Sequence, residues 1–263
     1  MPKILLTGAA GGIGQAAVQR LLENGHTVIA TDSSLDRLQA AFPQPHARLL
    51  LAAHDVTSYT AWETLAQTYA DIEVLVQLAG IMRVGWFVEQ PVEVFELQLR
   101  VNLLGLAYGC QVYGRSFRAR GRGHLINIAS LAGVSPIPGI AGYAATKFGV
   151  RGLSLSIAEE LRPYGVSVTV ICPGPVRTSL ILDELPRPES VYTLSAGGLL
   201  EPIDVAKAIE KAIRRKPLEI LLPRDKAFAA RLVSWMPQLQ RSAARFFAKG
   251  AEKRRQAYLQ KKA

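Results

Sequence analysis

Cysteine is scarce in this 263-residue chain: there are two, Cys110 and Cys172, far apart and each inside an apolar segment. Neither belongs to a C-x-x-C or a Cys/His cluster, which argues against a disulfide framework or a thiolate zinc site and fits a reducing cytoplasm. Histidine is nearly as scarce. His54 and His124 have no partners at metal-ligand spacing and read as ordinary strand-edge residues, so no metal is expected. Long apolar runs are missing too: no stretch of 18 uncharged apolar residues occurs. Met1 to Leu6 runs straight into glycines, with no room for the apolar region of a signal peptide, so the expectation is a cytoplasmic protein. Internal repeats and low-complexity tracts are absent as well.

What is present is ordinary globular composition, 49% hydrophobic and 20% charged, in a length that suits one α/β domain with a sizeable core. The charge is unevenly spread. Residues 207–263 carry 16 Lys/Arg against 4 Asp/Glu, net +12, whereas residues 1–206 are net −2, so the basic character belongs to the C-terminal part.

Short apolar runs alternate with helical periodicity along the chain. Ile4-Leu5-Leu6 reads as a strand, after which Ala16, Ala17, Val18, Leu21 and Leu22 recur at helical spacing up to a C-cap signal at Asn24-Gly25. A second strand over 27–30 ends at Asp32, and a helix over 35–42 is stopped by Pro43 and Pro45. The pattern then predicts strands over 48–52, 74–78, 123–129, 166–171 and 218–222, and helices over 62–69, 92–120, 142–162 and 203–214. Pro173-Gly174-Pro175 opens a long irregular segment. Such alternation predicts an α/β fold, a parallel sheet with helices on both faces, with its ligand crevice in the loops that follow the strands. The expected organisation is one domain over 1–223, with a substrate loop at 178–201, and a basic amphipathic helical tail over 224–263 interrupted at Pro237.

Between the first strand and the first helix lies Thr7-Gly8-Ala9-Ala10-Gly11-Gly12-Ile13-Gly14. Glycine at 8, 12 and 14 lets the main chain turn tightly and approach a pyrophosphate, while the helix offers unpaired N–H groups. Asp32 follows 18 residues after Gly14, at the end of the second strand, placed to accept hydrogen bonds from adenosine ribose hydroxyls and to repel a 2′-phosphate. This favours NAD. NADP stays open, because Arg37 is placed to swing toward that phosphate, and Asp32 also suits a plain helix N-cap.

Tyr143 and Lys147 stand one helical turn apart and face the same way. A phenol titrates near pH 10, so its use near neutrality needs a neighbouring cation, and Lys147 is that cation. Ser130 lies upstream. With the glycine turn, Asp55-Val56, Asn102 and Pro173-Gly174-Pro175-Val176-Arg177-Thr178, these residues make the sequence resemble the short-chain dehydrogenase/reductase family, in its Tyr-x-x-x-Lys branch, over residues 3 to about 222.

The resemblance implies a Rossmann-type doubly wound sheet and four catalytic groups. Tyr143 exchanges a proton with the substrate oxygen, Ser130 hydrogen-bonds that oxygen, Lys147 lowers the tyrosine pKa and holds the nicotinamide ribose, and Asn102 supports a water relay. It implies cofactor contacts from Gly8, Gly12, Ile13 and Gly14, from Asp32, from Asp55 and Val56 beside the adenine, from the main chain of Ala79 and Gly80, and from Pro173, Gly174, Val176 and Thr178 beside the nicotinamide. A homodimer or homotetramer built on the helices over 92–120 and 142–162 is implied as well. One departure is visible: Gln77-Leu78-Ala79-Gly80 stands where the family has Asn-Asn-Ala-Gly, which puts in doubt the hydrogen bonds that brace the central sheet.

The segment 178–201 mixes apolar residues with helix breakers, a composition that suits a lid over an apolar ligand. With Met82, Val84, Trp86, Ile137, Pro138 and Ile140 as further pocket candidates, the expected substrate is a hydrophobic alcohol or ketone of retinoid, steroid or fatty-chain type. In the tail, Phe228, Leu232, Trp235 and Met236 share one stripe, and Phe246, Phe247, Tyr258 and Leu259 follow among Lys and Arg. Two readings stay open for it, peripheral contact with an anionic membrane and docking on the domain or a second subunit. Nucleic acid is not expected, since no recognition module accompanies the charge. Two function classes remain: an NAD(P)-dependent oxidoreductase, and a non-catalytic NAD-binding sensor or scaffold.

Overall fold

A computed structural model describes residues 1–194, 198–235 and 237–260. Seven strands, β1 (Lys3–Thr7), β2 (Thr27–Asp32), β3 (Leu49–Ala53), β4 (Val74–Gln77), β5 (Gly123–Ile128), β6 (Val166–Pro173) and β7 (Glu219–Leu222), form one parallel sheet in the order 3-2-1-4-5-6-7. The order reverses between β1 and β4, which opens a crevice at their C-terminal ends.

The strands read as continuous apolar runs because both faces of the sheet are covered. Ile4, Leu6, Val28 and Val76 pack on α1 (Gly12–Glu23) and on α8 (Pro202–Arg215) through Val18, Leu21, Val205 and Ile209. The alternate residues Leu5, Ile29, Leu75 and Leu125 face the other layer, which comprises Trp62 of α3 (Tyr59–Thr68), Tyr113 and Phe117 of α5 (Gly105–Arg120) and Val150 of α6 (Ala141–Leu161). Between α1 and α3, α2 (Leu35–Ala41) covers the edge near β3 with Leu38.

Several elements differ from the sequence pattern, each for a physical reason. Helix α3 begins at Tyr59, three residues early, because Ser58 caps it by accepting from the Ala61 N–H; its first turn is polar and carries no apolar signal. The helix expected over 92–120 is helical throughout, but a π turn over Arg100–Leu104 is inserted between α4 (Val92–Leu99) and α5. Asn102 inside that turn is drawn to the main chain of Ile81, and Gly105 packs so closely on Val56 that a Cβ would sit 2.9 Å from its side chain. The segment after β6 is not wholly irregular: it holds a short helix α7 (Ser179–Leu182) and a 3-10 stretch over Pro188–Leu194, while residues 195–197 lie outside the described residues.

Both histidines singled out are buried. His124 is buried in β5 between β4 and β6, and His54, just after β3, is buried edge-on against Trp62 with ring centroids 4.3 Å apart. The brace across the central sheet is also present, made by a different residue. Gln77 Nε2 donates to Asn127 Oδ1 at 3.0 Å, and Asn127 Nδ2 donates to Ser154 Oγ of α6 at 2.9 Å.

The basic tail forms α9 (Arg224–Trp235) and α10 (Pro237–Gln260). Phe228, Leu232 and Trp235 are exposed, whereas the last turns of α10 return to the body: Ala251 is fully buried and Tyr258 half-buried. Met236 and the side chains of Phe246 and Phe247 lie outside what the structure describes.

Candidate active site

The glycine turn follows directly from the end of β1. Gly8 has φ +70°, and a Cβ there would lie 2.8 Å from the Ala79 nitrogen, so only glycine fits. Helix α1 then starts with Gly11 as an N-cap that lends no side-chain acceptor, and its first turn holds no acidic residue. Its leading N–H groups and positive dipole end are left to an anion from outside. They open on a cleft of about 400 Å³ whose walls include Gly8, Gly12, Ile13, Gly14, Asp32, Asp55, Val56, Ala79, Gly80 and Thr178.

Asp32 is buried at the far end of this cleft. Its Oδ2 accepts from the Ala10 N–H at 3.3 Å and its Oδ1 lies 3.4 Å from Arg37 Nη1, so one carboxylate supports the glycine turn and holds an exposed guanidinium. Asp55 Oδ1 accepts from the N–H and hydroxyl of Thr57, and the Ala79 N–H donates to Thr7 Oγ1 at 3.3 Å. Amides for a diphosphate at one end and a carboxylate for ribose hydroxyls at the other fit a dinucleotide.

The cleft adjoins a second cavity of about 100 Å³, both being walled by Ile13, Leu78, Gly80, Thr178 and Leu180. Ser130, Tyr143, Lys147, Pro173, Gly174 and Val176 line this inner space. Ser130 caps a 3-10 turn over Leu131–Gly133, accepting from the Ala132 N–H at 3.1 Å and donating to the Pro173 carbonyl at 3.4 Å. Lys147 Nζ donates to the Ile128 carbonyl at 2.9 Å and stands 5.6 Å from the centre of the Tyr143 ring.

Burial decides the titration of both groups. It pushes the Tyr143 phenol up to about 12, against a hydrogen bond with Ser130 that lowers it and with a further rise from Cys172. It pushes the Lys147 ammonium down to about 8. The downward shift expected from Lys147 is not among the influences on the phenol here: Ser130 is the group that lowers it, and the loss of solvent around the ring prevails.

Asn102 lines neither cavity. Its Oδ1 accepts from the Ile81 N–H at 2.8 Å, and its Nδ2 donates to the Ile81 carbonyl at 2.8 Å and to Thr146 Oγ1 at 3.1 Å. Thr146 Oγ1 in turn donates to the Tyr143 carbonyl at 2.7 Å. The π turn thus ties the segment after β4 to the helix that carries the phenol.

Leu180, Ile181 and Thr193 of the segment 179–194 wall the inner cavity, and this lid segment is latched on two sides. Glu184 accepts from the Val84 N–H at 3.1 Å and pairs with Arg187 at 3.2 Å and Arg83 at 3.7 Å. From α10, the buried Arg255 donates to the carbonyls of Leu185 and Pro186 at 2.8 and 2.9 Å, and Arg254 donates to that of Leu194. Met82, Ile137, Ile140, Leu180 and Ile181 make the cavity walls apolar. Of the other pocket candidates, Val84 and Pro138 do not line it, and Trp86 stands half-exposed, edge-on to Tyr192.

Arg83, Thr146, Glu184 and Arg255 take part in this site without having been marked in the sequence. Arg83 and Glu184 are 101 positions apart with no pattern joining them, and Arg255 is one cation within a basic run. Thr146 carried a signal, since it stands inside the Tyr-x-x-x-Lys spacing.

A family model described as short chain dehydrogenase matches residues 2–186. A 3-alpha-(or 20-beta)-hydroxysteroid dehydrogenase of Mycobacterium bovis is 33% identical over 210 residues, covering 78% of this chain and 79% of that protein. An NADP-dependent 3-hydroxy acid dehydrogenase of Salmonella typhi is 38% identical over 176 residues, 65% of this chain and 71% of that protein. Among solved structures, a short chain dehydrogenase from Burkholderia cenocepacia in complex with NADP superposes with a TM-score of 0.80 at 20% identity, covering 92% of this chain and 97% of that one.

Proposed function

This chain belongs to the short-chain dehydrogenase family of oxidoreductases, and from that premise we propose that it interconverts a hydroxyl and a carbonyl on an apolar small molecule, with NAD as hydride carrier and Tyr143 as acid and base. The observation that carries the reading is the apolar cavity in which Ser130 and Tyr143 meet, continuous in its walls with the glycine-turn cleft. A bound nicotinamide supplies the hydride acceptor or donor. The residues of the chain handle the proton. Hydride leaving an alcohol carbon requires the hydroxyl proton to leave as well, and Tyr143 Oη in its phenolate form accepts it and becomes the phenol; in the reverse direction the phenol returns it.

Ser130 orients the reacting oxygen beside the phenol. Lys147 favours the phenolate and holds the nicotinamide ribose hydroxyls, and Asn102 acts as a positioning residue through Ile81 and Thr146, supporting the relay of the proton outward. Gly8, Gly12, Ile13 and Gly14 bind the diphosphate, Asp32 the adenosine ribose, Asp55 and Val56 the adenine, and Ala79, Gly80, Pro173, Gly174, Val176 and Thr178 the remaining length of the cofactor. Met82, Ile137, Ile140 and Ile181 exclude water and favour a retinoid, steroid or fatty-chain substrate; the hydroxysteroid relative supports that class.

NAD is preferred over NADP because the buried Asp32 carboxylate opposes a 2′-phosphate. The exposed Arg37 guanidinium supports the opposite choice, and would reach such a phosphate on releasing Asp32. The enzyme works in the cytoplasm as a homodimer or homotetramer, a reading supported by exposed Val92 and Leu97 on α4 and Phe148 on α6. The test is a panel of apolar alcohols and ketones followed by nicotinamide absorbance, with both dinucleotides titrated. Dinucleotide binding without turnover on any of the panel would leave a sensor or scaffold instead.

A further inference from the structure

Beyond β7, Phe228, Leu232 and Trp235 stand at i, i+4 and i+7 on α9 and so share one face. All three are exposed, Trp235 to 82%. A contiguous apolar stripe of this kind on a charged surface marks a contact site. At its N-terminal end a groove of about 610 Å³ between α8 and α9 is lined by Lys207, Lys211, Arg224, Phe228 and Arg231. Arg231 is engaged by Glu219, which also takes Arg151, and Asp204 is engaged by the Glu201 N–H in the cap of α8. Among the described residues, no carboxylate pairs with Lys207, Lys211 or Arg224.

We propose that this α8–α9 surface docks the protein on an anionic phospholipid bilayer, with Lys207, Lys211 and Arg224 meeting headgroup phosphates and Phe228, Leu232 and Trp235 entering the interface. A basic helix with Trp, Phe and Leu on one face has the composition that lies in the plane of an anionic membrane. No helix among the described residues is long and apolar enough to cross one, so the contact is peripheral. A second copy of the chain fits less well, because a two-fold contact buries the same patch from both subunits and would gather two sets of these unpaired cations into one interface. Nucleic acid would satisfy the cations and leave the three apolar side chains without an apolar partner.

The position of the surface adds a reason for it. The Leu222 carbonyl, two residues before α9, accepts from the N–H of Gly174, which lines the cavity of Tyr143. Docking therefore brings the cavity close to the phase in which apolar alcohols and ketones dissolve. The docking claim stands independently of the reaction proposed above, because its readout is vesicle binding.

The test is co-sedimentation of the full chain with vesicles of phosphatidylcholine alone and of phosphatidylcholine mixed with phosphatidylglycerol. The expected result is binding to the anionic vesicles only, weakened by added salt. Each of Lys207→Gln, Lys211→Gln and Arg224→Gln should weaken it about fivefold. Trp235→Ser and the combined Phe228→Ser/Leu232→Ser should each reduce it further, with subunit number and dinucleotide affinity unchanged as the control for folding. Absence of binding, equal binding to neutral vesicles, or indifference to these substitutions overturns the proposal. So does a change in subunit number on Trp235→Ser, which would assign the stripe to a second copy, or tighter binding to duplex DNA than to the vesicles.

Discussion

Gln77 Nε2 donates to Asn127 Oδ1 at 3.0 Å, joining β4 to β5 beneath the floor of the cleft. The contact exists because Gly109 of α5 leaves room for the longer side chain: a Cβ there would collide with the Gln77 amide and lie 2.7 Å from the Trp62 ring. Gln77→Leu removes a buried donor from Asn127, whose own amide still holds Ser154. We expect a loss of about 1–3 kcal/mol in stability, read by urea denaturation, with dinucleotide affinity unchanged.

The lid is held by the tail through Arg255, whose guanidinium meets the carbonyls of Leu185 and Pro186. Arg255→Ala leaves both carbonyls unanswered and frees the segment that carries Ile181. Steady-state kinetics should show a higher KM for the apolar substrate, with dinucleotide affinity preserved. A parallel loss of dinucleotide binding would mean that Arg255 supports the whole fold.

Asp32 places one carboxylate between the glycine turn and Arg37. Asp32→Ala removes the repulsion toward a 2′-phosphate and frees the guanidinium to meet it. Titration of both dinucleotides should show tighter NAD binding in the parent and relaxed preference in the variant. Tighter NADP binding by the parent would reverse the cofactor assignment.

His124 predicts a dependence of stability on pH. Thr169 Oγ1 donates to the Pro217 carbonyl and so accepts from His124 Nε2, which leaves buried Nδ1 unprotonated and without a partner. Burial holds this histidine down to about 3, and His54, buried on Trp62, down to about 4. Both are depressed below the ordinary 6.5, so the unfolded chain binds the extra protons first as pH falls. Stability is full above about 6.5 and declines toward pH 4 and below. Urea midpoints measured across this window should fall, and His124→Leu should make the decline shallower.

Much of this architecture is legible in the residues, for reasons that are local. The strands are short apolar runs because both faces of the sheet are covered, and the glycine turn and the Tyr143–Lys147 pair declare themselves through spacing within one turn or one loop. What the sequence hides is non-local. The π turn at Asn102 depends on the main chain of Ile81 and on the approach of Gly105 to Val56, neither of which leaves a mark in the apolar period of 92–120. The Arg83–Glu184 latch joins residues on separate segments, and the departure at Gln77 looks like a lost brace until Gly109 and Asn127 are placed around it. The upward shift of Tyr143 follows from burial, which neighbouring residue types alone do not disclose.

The central claim is that the phenol of Tyr143 moves the proton while a nicotinamide carries the hydride. Tyr143→Phe tests it most directly, assayed by nicotinamide absorbance with the best substrate of the panel, across pH. The account predicts that the parent oxidises its alcohol faster as pH rises toward about 8, because a phenol pushed up by burial offers more of its base form there. The gain falls off above about 8, where Lys147 loses the charge that favours the phenolate. The variant should bind the dinucleotide as the parent does and turn over about 10²–10⁴-fold more slowly. Turnover by Tyr143→Phe at the parental rate would contradict the account.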